Sequence, residues 1–143
     1  MLNLIKRRTV DLLVQQFWKE GYLTVRRRFG TYLLEPDKIG SFEVDIIAKQ
    51  RKNYAIGLTL TSEDFKNSNL IEKLTFLSTR QTRYSNKRVQ LFVGVPTEFF
   101  EKAKAMVKLL SPEARRNIKI FQIEDKALTN TNVPGRNQKV LFS

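Results

Sequence analysis

Cysteine and histidine are both absent from this chain of 143 residues. Their absence excludes disulfides, thiol nucleophiles, the usual zinc sites and histidine general acid–base chemistry. Any catalysis would have to rest on carboxylates, lysines, hydroxyls or an oxygen-bound metal such as Mg²⁺. Acid is scarce as well: 14 Asp and Glu stand against 26 Lys and Arg, leaving a net charge of +12. No apolar run approaches the roughly 18 residues that a membrane span requires. Residues 1–9 lack both the apolar length and the small-residue cleavage site of a secretory signal. The expectation is a cytoplasmic protein with no membrane partner.

What is present describes a globular domain. A hydrophobic fraction of 41% and a charged fraction of 28% are ordinary values. The length suits one domain with a core that needs no covalent staple. The positive excess points to a polyanionic partner.

Periodicity lays out the elements. Val10, Leu13, Val14 and Phe17 recur at helical spacing within residues 4–20, and Gly21 stands where a helix-ending glycine belongs. Residues 22–28 alternate as a strand, and Pro36, Asp37 and Gly40 mark a turn. Residues 42–49 alternate cleanly, with Phe42, Val44, Ile46 and Ala48 expected on one face and Glu43, Asp45, Ile47 and Lys49 on the other. A polar turn leads into a returning strand over 54–61. Thr61 or Ser62 is expected to cap a helix over 64–82 with Leu70, Ile71, Leu74 and Leu77 inward. The apolar run 89–95 reads as a central strand. A helix capped by Thr97 follows to Leu110, with Phe100, Ala103, Val107 and Leu110 inward. Ser111-Pro112-Glu113 opens one further turn, and 118–123 is the last strand. The expected organisation is a domain over 1–124 and a loosely ordered tail over 125–143, with Val140, Leu141 and Phe142 as the part suited to docking. The fold class is α/β, a mixed sheet flanked by helices.

The order αβββαβ, the segment Glu43-Val44-Asp45-Ile46-Ile47-Ala48, and the strand Tyr54-Ala55-Ile56-Gly57-Leu58-Thr59 after a short basic turn resemble the PD-(D/E)XK nuclease superfamily. The likeness is to archaeal Holliday junction resolvases and Mrr-like restriction endonucleases, and it covers about two thirds of the chain. It implies a restriction-endonuclease-like core. In that family an Asp before a hairpin and an acid on the next strand hold Mg²⁺, which lowers the pKa of an attacking water. A lysine two residues after the second acid points to the same face and stabilises developing charge. Carried over, Asp45 matches the first acid, but Gly57 stands at the second acid and Thr59 at the lysine. The departure implies lost or impaired cleavage.

Relocated ligands are the alternative. Glu43 and Asp45 lie two apart on the strand, and Asp11, Glu20, Glu63 or Asp64 could complete a Mg²⁺ site. Against this, Glu43 and Asp11 also read as solvated residues, and Asp45 as an acceptor tying the hairpin together. Glu63 and Asp64 also suit a first helical turn on dipole grounds.

The cations are clustered. Lys6, Arg7 and Arg8 open the first helix, Arg26, Arg27 and Arg28 close the first strand, and Lys49, Arg51 and Lys52 sit at the hairpin turn. Arg80, Arg83, Lys87 and Arg88 follow the second helix, in a stretch from 73 to 97 without a carboxylate. Tyr84 among them could stack on a base. Alternation is expected to face Arg26 and Arg28 one way and Arg27 the other. Trp18 and Phe17 read as core residues, as do most of the ten phenylalanines.

The resulting expectation is a nucleic-acid-binding protein on a nuclease-like core, with DNA ahead of RNA as partner and no cofactor. The alternatives are an active Mg²⁺-dependent endonuclease around Asp45 and a structural subunit of a larger complex. A homodimer is expected by analogy with resolvase-like proteins.

Overall fold

The computed structural model describes residues 2–83 and 86–124, with side chains from residue 4 onward. The expected tail, its Val140-Leu141-Phe142 segment and Tyr84 lie outside the described residues. A long first helix, α1 (Leu2–Lys19), leads into strands β1 (Leu23–Arg27), β2 (Ile46–Gln50) and β3 (Asn53–Thr59). Two helices follow, α2 (Ser62–Lys66) and α3 (Leu70–Ser78), then β4 (Gln90–Pro96). A 3₁₀ turn (Thr97–Phe99), α4 (Phe100–Val107), α5 (Pro112–Arg116) and β5 (Ile118–Ile123) complete the described chain.

The strands form one five-stranded sheet in the order β1-β2-β3-β4-β5. The first three are antiparallel and the last two run parallel to β3. The protein is therefore α/β with a mixed sheet flanked by helices. β4 is covered on both sides, and Leu91, Phe92, Val93 and Val95 are all buried, which is why its sequence is a continuous apolar run. Among the described residues no helix is long and apolar enough to cross a membrane.

Each face of the sheet has its own core. On one side Val10, Leu13 and Phe17 of α1 pack over Ile46, Ala48, Ala55 and Phe92. On the other, Leu70, Leu74 and Leu77 of α3 cover Ile56, Leu58, Leu91 and Val93. The rings of Phe17 and Phe92 stack at 4.6 Å, and Tyr22 meets both edge-on. Gly21 takes a left-handed φ of 90° after α1, the conformation that ends helices and suits glycine.

Several expectations are corrected. The long helix after β3 is two short ones, because Asn67 leaves helical geometry at φ −82°, ψ 122° and Asn69 starts again. The helix beginning at Thr97 opens as a 3₁₀ turn and is α-helical only over Phe100–Val107. The strand expected over 42–49 begins only at Ile46, since residues 43–45 make no ladder and Asp45 sits at a bend. The expected face of Phe42, Val44, Ile46 and Ala48 is thereby split: Val44 joins the α3-side core, while Ile46 and Ala48 join the α1 side. Phe17 is buried as expected, but Trp18 is 69% exposed, because only its neighbour points at the sheet.

Candidate functional site

Asp45 is the centre of the first candidate site. It is 3% exposed, so its carboxylate needs partners close at hand. The bend before β2 turns it toward the end of β3. There Oδ2 accepts hydrogen bonds from the backbone N–H of Thr59 at 2.7 Å and from the Thr59 hydroxyl at 3.0 Å. The same oxygen receives the ammonium of Lys6 at 3.2 Å, which also donates to the carbonyl of Thr59 at 2.7 Å. Oδ1 faces the guanidinium of Arg28 at 3.4 Å. Asp45 thus ties α1, β1 and β3 into one corner, and Thr59 serves it as a neutral donor.

Lys6 was not singled out from the sequence for this place. The signal was available: Lys6, Val10, Leu13 and Phe17 lie on one helical face, so a cation on that face aims at the sheet.

The position resembling the second acid is filled. A Cβ built on Gly57 would stand 2.7 Å from Cε2 of Phe17 and 2.8 Å from Cβ of Ile46. Glycine is required here for space, not for backbone freedom. Of the other proposed ligands, Glu43 and Asp64 line one cleft with Lys73, while Asp11, Glu20 and Glu63 pair with cations elsewhere. Asp11 pairs with Arg27, Glu63 pairs with Lys66 at 3.8 Å on the surface of α2, and Glu43 is exposed. Glu20 holds Lys119 at 2.8 Å, and Asp64 accepts the N–H and hydroxyl of Thr61 in a capping box. Among the described residues no group of three acids could hold a metal ion. Both oxygens of Asp45 are turned to protein donors.

Beside this corner lies a polar cleft of about 380 Å³ lined by Glu43, Asp64, Asn67, Asn69 and Lys73. Burial pushes the Lys73 ammonium below its ordinary pKa, and the nearby carboxylates of Asp45 and Asp64 only partly offset it.

The expected cations do not share one groove. Arg28 follows the end of β1 and reaches Asp45, while Arg27, opposite Ile46, reaches Asp11 on α1. Arg26, opposite Ile47, faces the other side. The expected pairing of Arg26 with Arg28 is therefore corrected, because the strand stops at Arg27 and the next residue turns. Arg7 and Arg8 are exposed along α1. Arg88 is drawn to Glu113 of α5 at 2.9 Å, and Lys87 is exposed in the turn where the Thr82 N–H meets its carbonyl.

A second site forms where the β2–β3 hairpin meets the chain leaving α3. A cleft of about 580 Å³ opens there, with Ile47, Tyr54, Ile56 and Val89 in its wall. Lys49, Lys52, Arg80 and Arg83 surround it, and among the described residues no carboxylate contributes to its lining. Lys49 stands 5.4 Å from the centroid of the Tyr54 ring. Arg80 is fixed: its Nε donates to the carbonyl of Phe76 at 2.8 Å, and its guanidinium lies 3.8 Å from the centroid of the Phe76 ring. Tyr54 in this cleft and Thr59 in the Asp45 corner lie toward opposite ends of β3. Tyr54 and Thr59 stand about 17 Å apart at a strand's rise of about 3.3 Å per residue.

No protein-family model, curated protein or solved structure matches this chain.

Proposed function

We infer that this protein binds nucleic acid without cutting it, on a core of the PD-(D/E)XK nuclease type whose catalytic corner has become structural. The observation that carries the binding is the second cleft, where Lys49, Lys52, Arg80 and Arg83 gather with no acid among the described lining residues. In a chain of net charge +12 that arrangement concentrates positive potential at one concavity. Support for the core type comes from the element order, with α1 before three antiparallel strands and an Asp just ahead of the hairpin. Support for lost cleavage comes from Lys6 and Arg28 on Asp45 and from Phe17 against Gly57.

The test is binding of fluorescent DNA and RNA as a function of salt. Phosphate contacts release counterions, so raising salt from about 50 to 200 mM is expected to weaken binding by orders of magnitude. Charge reversal at Lys52 and Arg83 is expected to abolish most of the affinity. Binding that ignores salt, or survives the reversal, would remove this reading.

A further inference from the structure

We propose that the cleft beside the β2–β3 hairpin receives an unpaired base of a single-stranded nucleic acid, while the surrounding cations hold the flanking phosphates. This rests on the nucleic-acid reading above and names the form of the ligand. The argument comes from what the wall is made of. Ile47 and Tyr54 present apolar and aromatic surface backed by the buried Ile56 and Val89, and none of them rewards a phosphate. A nucleobase has a π-face that gains from such a wall, and base–aromatic stacking is tolerant of sequence. In a regular duplex the base faces are already stacked on one another and cannot reach a concave wall.

The rim completes the match. Lys49, Lys52 and Arg83 are cations beside an apolar depression, the combination that tracks a backbone while bases turn inward. Arg80 stands in the same wall with its guanidinium already ordered over Phe76, so little freedom is lost when it meets a ligand. Gln81 lines the cleft as an exposed amide that can both donate and accept at a base edge. The volume of about 580 Å³ is that of a small-molecule pocket.

The experiment uses the full chain and two fluorescein-labelled oligothymidylates of equal length, one intact and one with abasic sugars at its centre. The phosphates are the same in both, so a purely electrostatic surface binds them equally. The base pocket predicts that the abasic strand binds about ten-fold more weakly, in the range that stacking of one base supplies. Tyr54→Ala is expected to weaken the intact strand to the level of the abasic one and to leave the abasic strand unchanged. Equal affinity of the wild-type protein for both strands overturns the base pocket and leaves the nucleic-acid reading standing. No binding of either strand at low salt overturns both. The comparison of strands needs no variant, so a Tyr54→Ala protein that fails to fold does not blunt it.

Discussion

The ammonium of Lys6 lies 3.2 Å from Oδ2 of Asp45, a contact across 39 residues that fixes the first helix to the bend before β2. Both groups are largely shielded from solvent, with side-chain exposures of 18% and 5%. Breaking a buried pair from one side leaves an uncompensated charge, which costs about 3–5 kcal/mol. Here Arg28 and Thr59 remain on Asp45, so Lys6→Met is expected to cost about 3 kcal/mol, at the low end of that range. Urea unfolding of Lys6→Met, Asp45→Asn and the double variant measures it. The double variant is expected to be more stable than the two losses added together. Strict additivity would show that the pair is not coupled.

An acid placed at Gly57 is expected to damage the fold and not to create an enzyme. Gly57→Asp forces a side chain against Phe17 and Ile46, and overpacking of a core costs about 1–3 kcal/mol before the buried charge is counted. The variant is expected to unfold at lower urea than wild type and to leave supercoiled plasmid intact in Mg²⁺ or Mn²⁺. Wild-type protein is expected to leave it intact too. Cleavage by the wild type that vanishes in Asp45→Ala would revive a metal-dependent nuclease.

Lys73 provides a pH signature. Burial lowers its pKa from the ordinary value of 10.5, so the unfolded chain holds its proton to higher pH than the folded one. Between the folded and unfolded pKa values the unfolded state binds more protons, and stability rises with pH. At neutral pH the charged ammonium therefore costs stability. Lys73→Met is expected to raise Tm at pH 7 and to flatten the rise toward pH 10, which thermal melts across that range would register. An unchanged slope would place the cost elsewhere.

The arginines after α3 are expected to separate. Arg83 lines the cleft, whereas Arg88 is held by Glu113. Arg83→Ala is expected to weaken nucleic-acid binding and to lower the salt slope by about one unit, as loss of one phosphate contact does. Arg88→Ala is expected to leave the slope near that of wild type. Identical effects of the two on titrations at several salt concentrations would count against the assignment of the cleft.

Most of the architecture was legible in the residues, because burial imposes period. Val10, Leu13 and Phe17 named the inner face of α1, and Leu70, Leu74 and Leu77 that of α3. Ser111 and Pro112 announced α5 and supplied its cap, Ser111 Oγ accepting the N–H of Ala114. The failures occurred where local geometry departs from a regular repeat. Residues 42–49 alternate on paper, yet the bend at Asp45 breaks the two-residue period and sends Val44 and Ile46 into different cores. For the site, the sequence singled out Asp45, Gly57 and Thr59. It did not reveal that Lys6 answers the aspartate or that Phe17 fills the space beside Gly57, since both contacts join distant segments. Arginine clustering was visible, but its division among different faces depended on where β1 ends and on the ion pairs with Asp11 and Glu113.

The length of β3 has a consequence for how this molecule can change. Thr59, which meets the Lys6–Asp45 pair, and Tyr54, in the wall of the hairpin cleft, stand about 17 Å apart along the strand. Substitutions so far apart, with no shared partner, contribute separately to free energy. The hairpin end of the strand can therefore drift while the anchoring of the first helix stays under its own selection at the other.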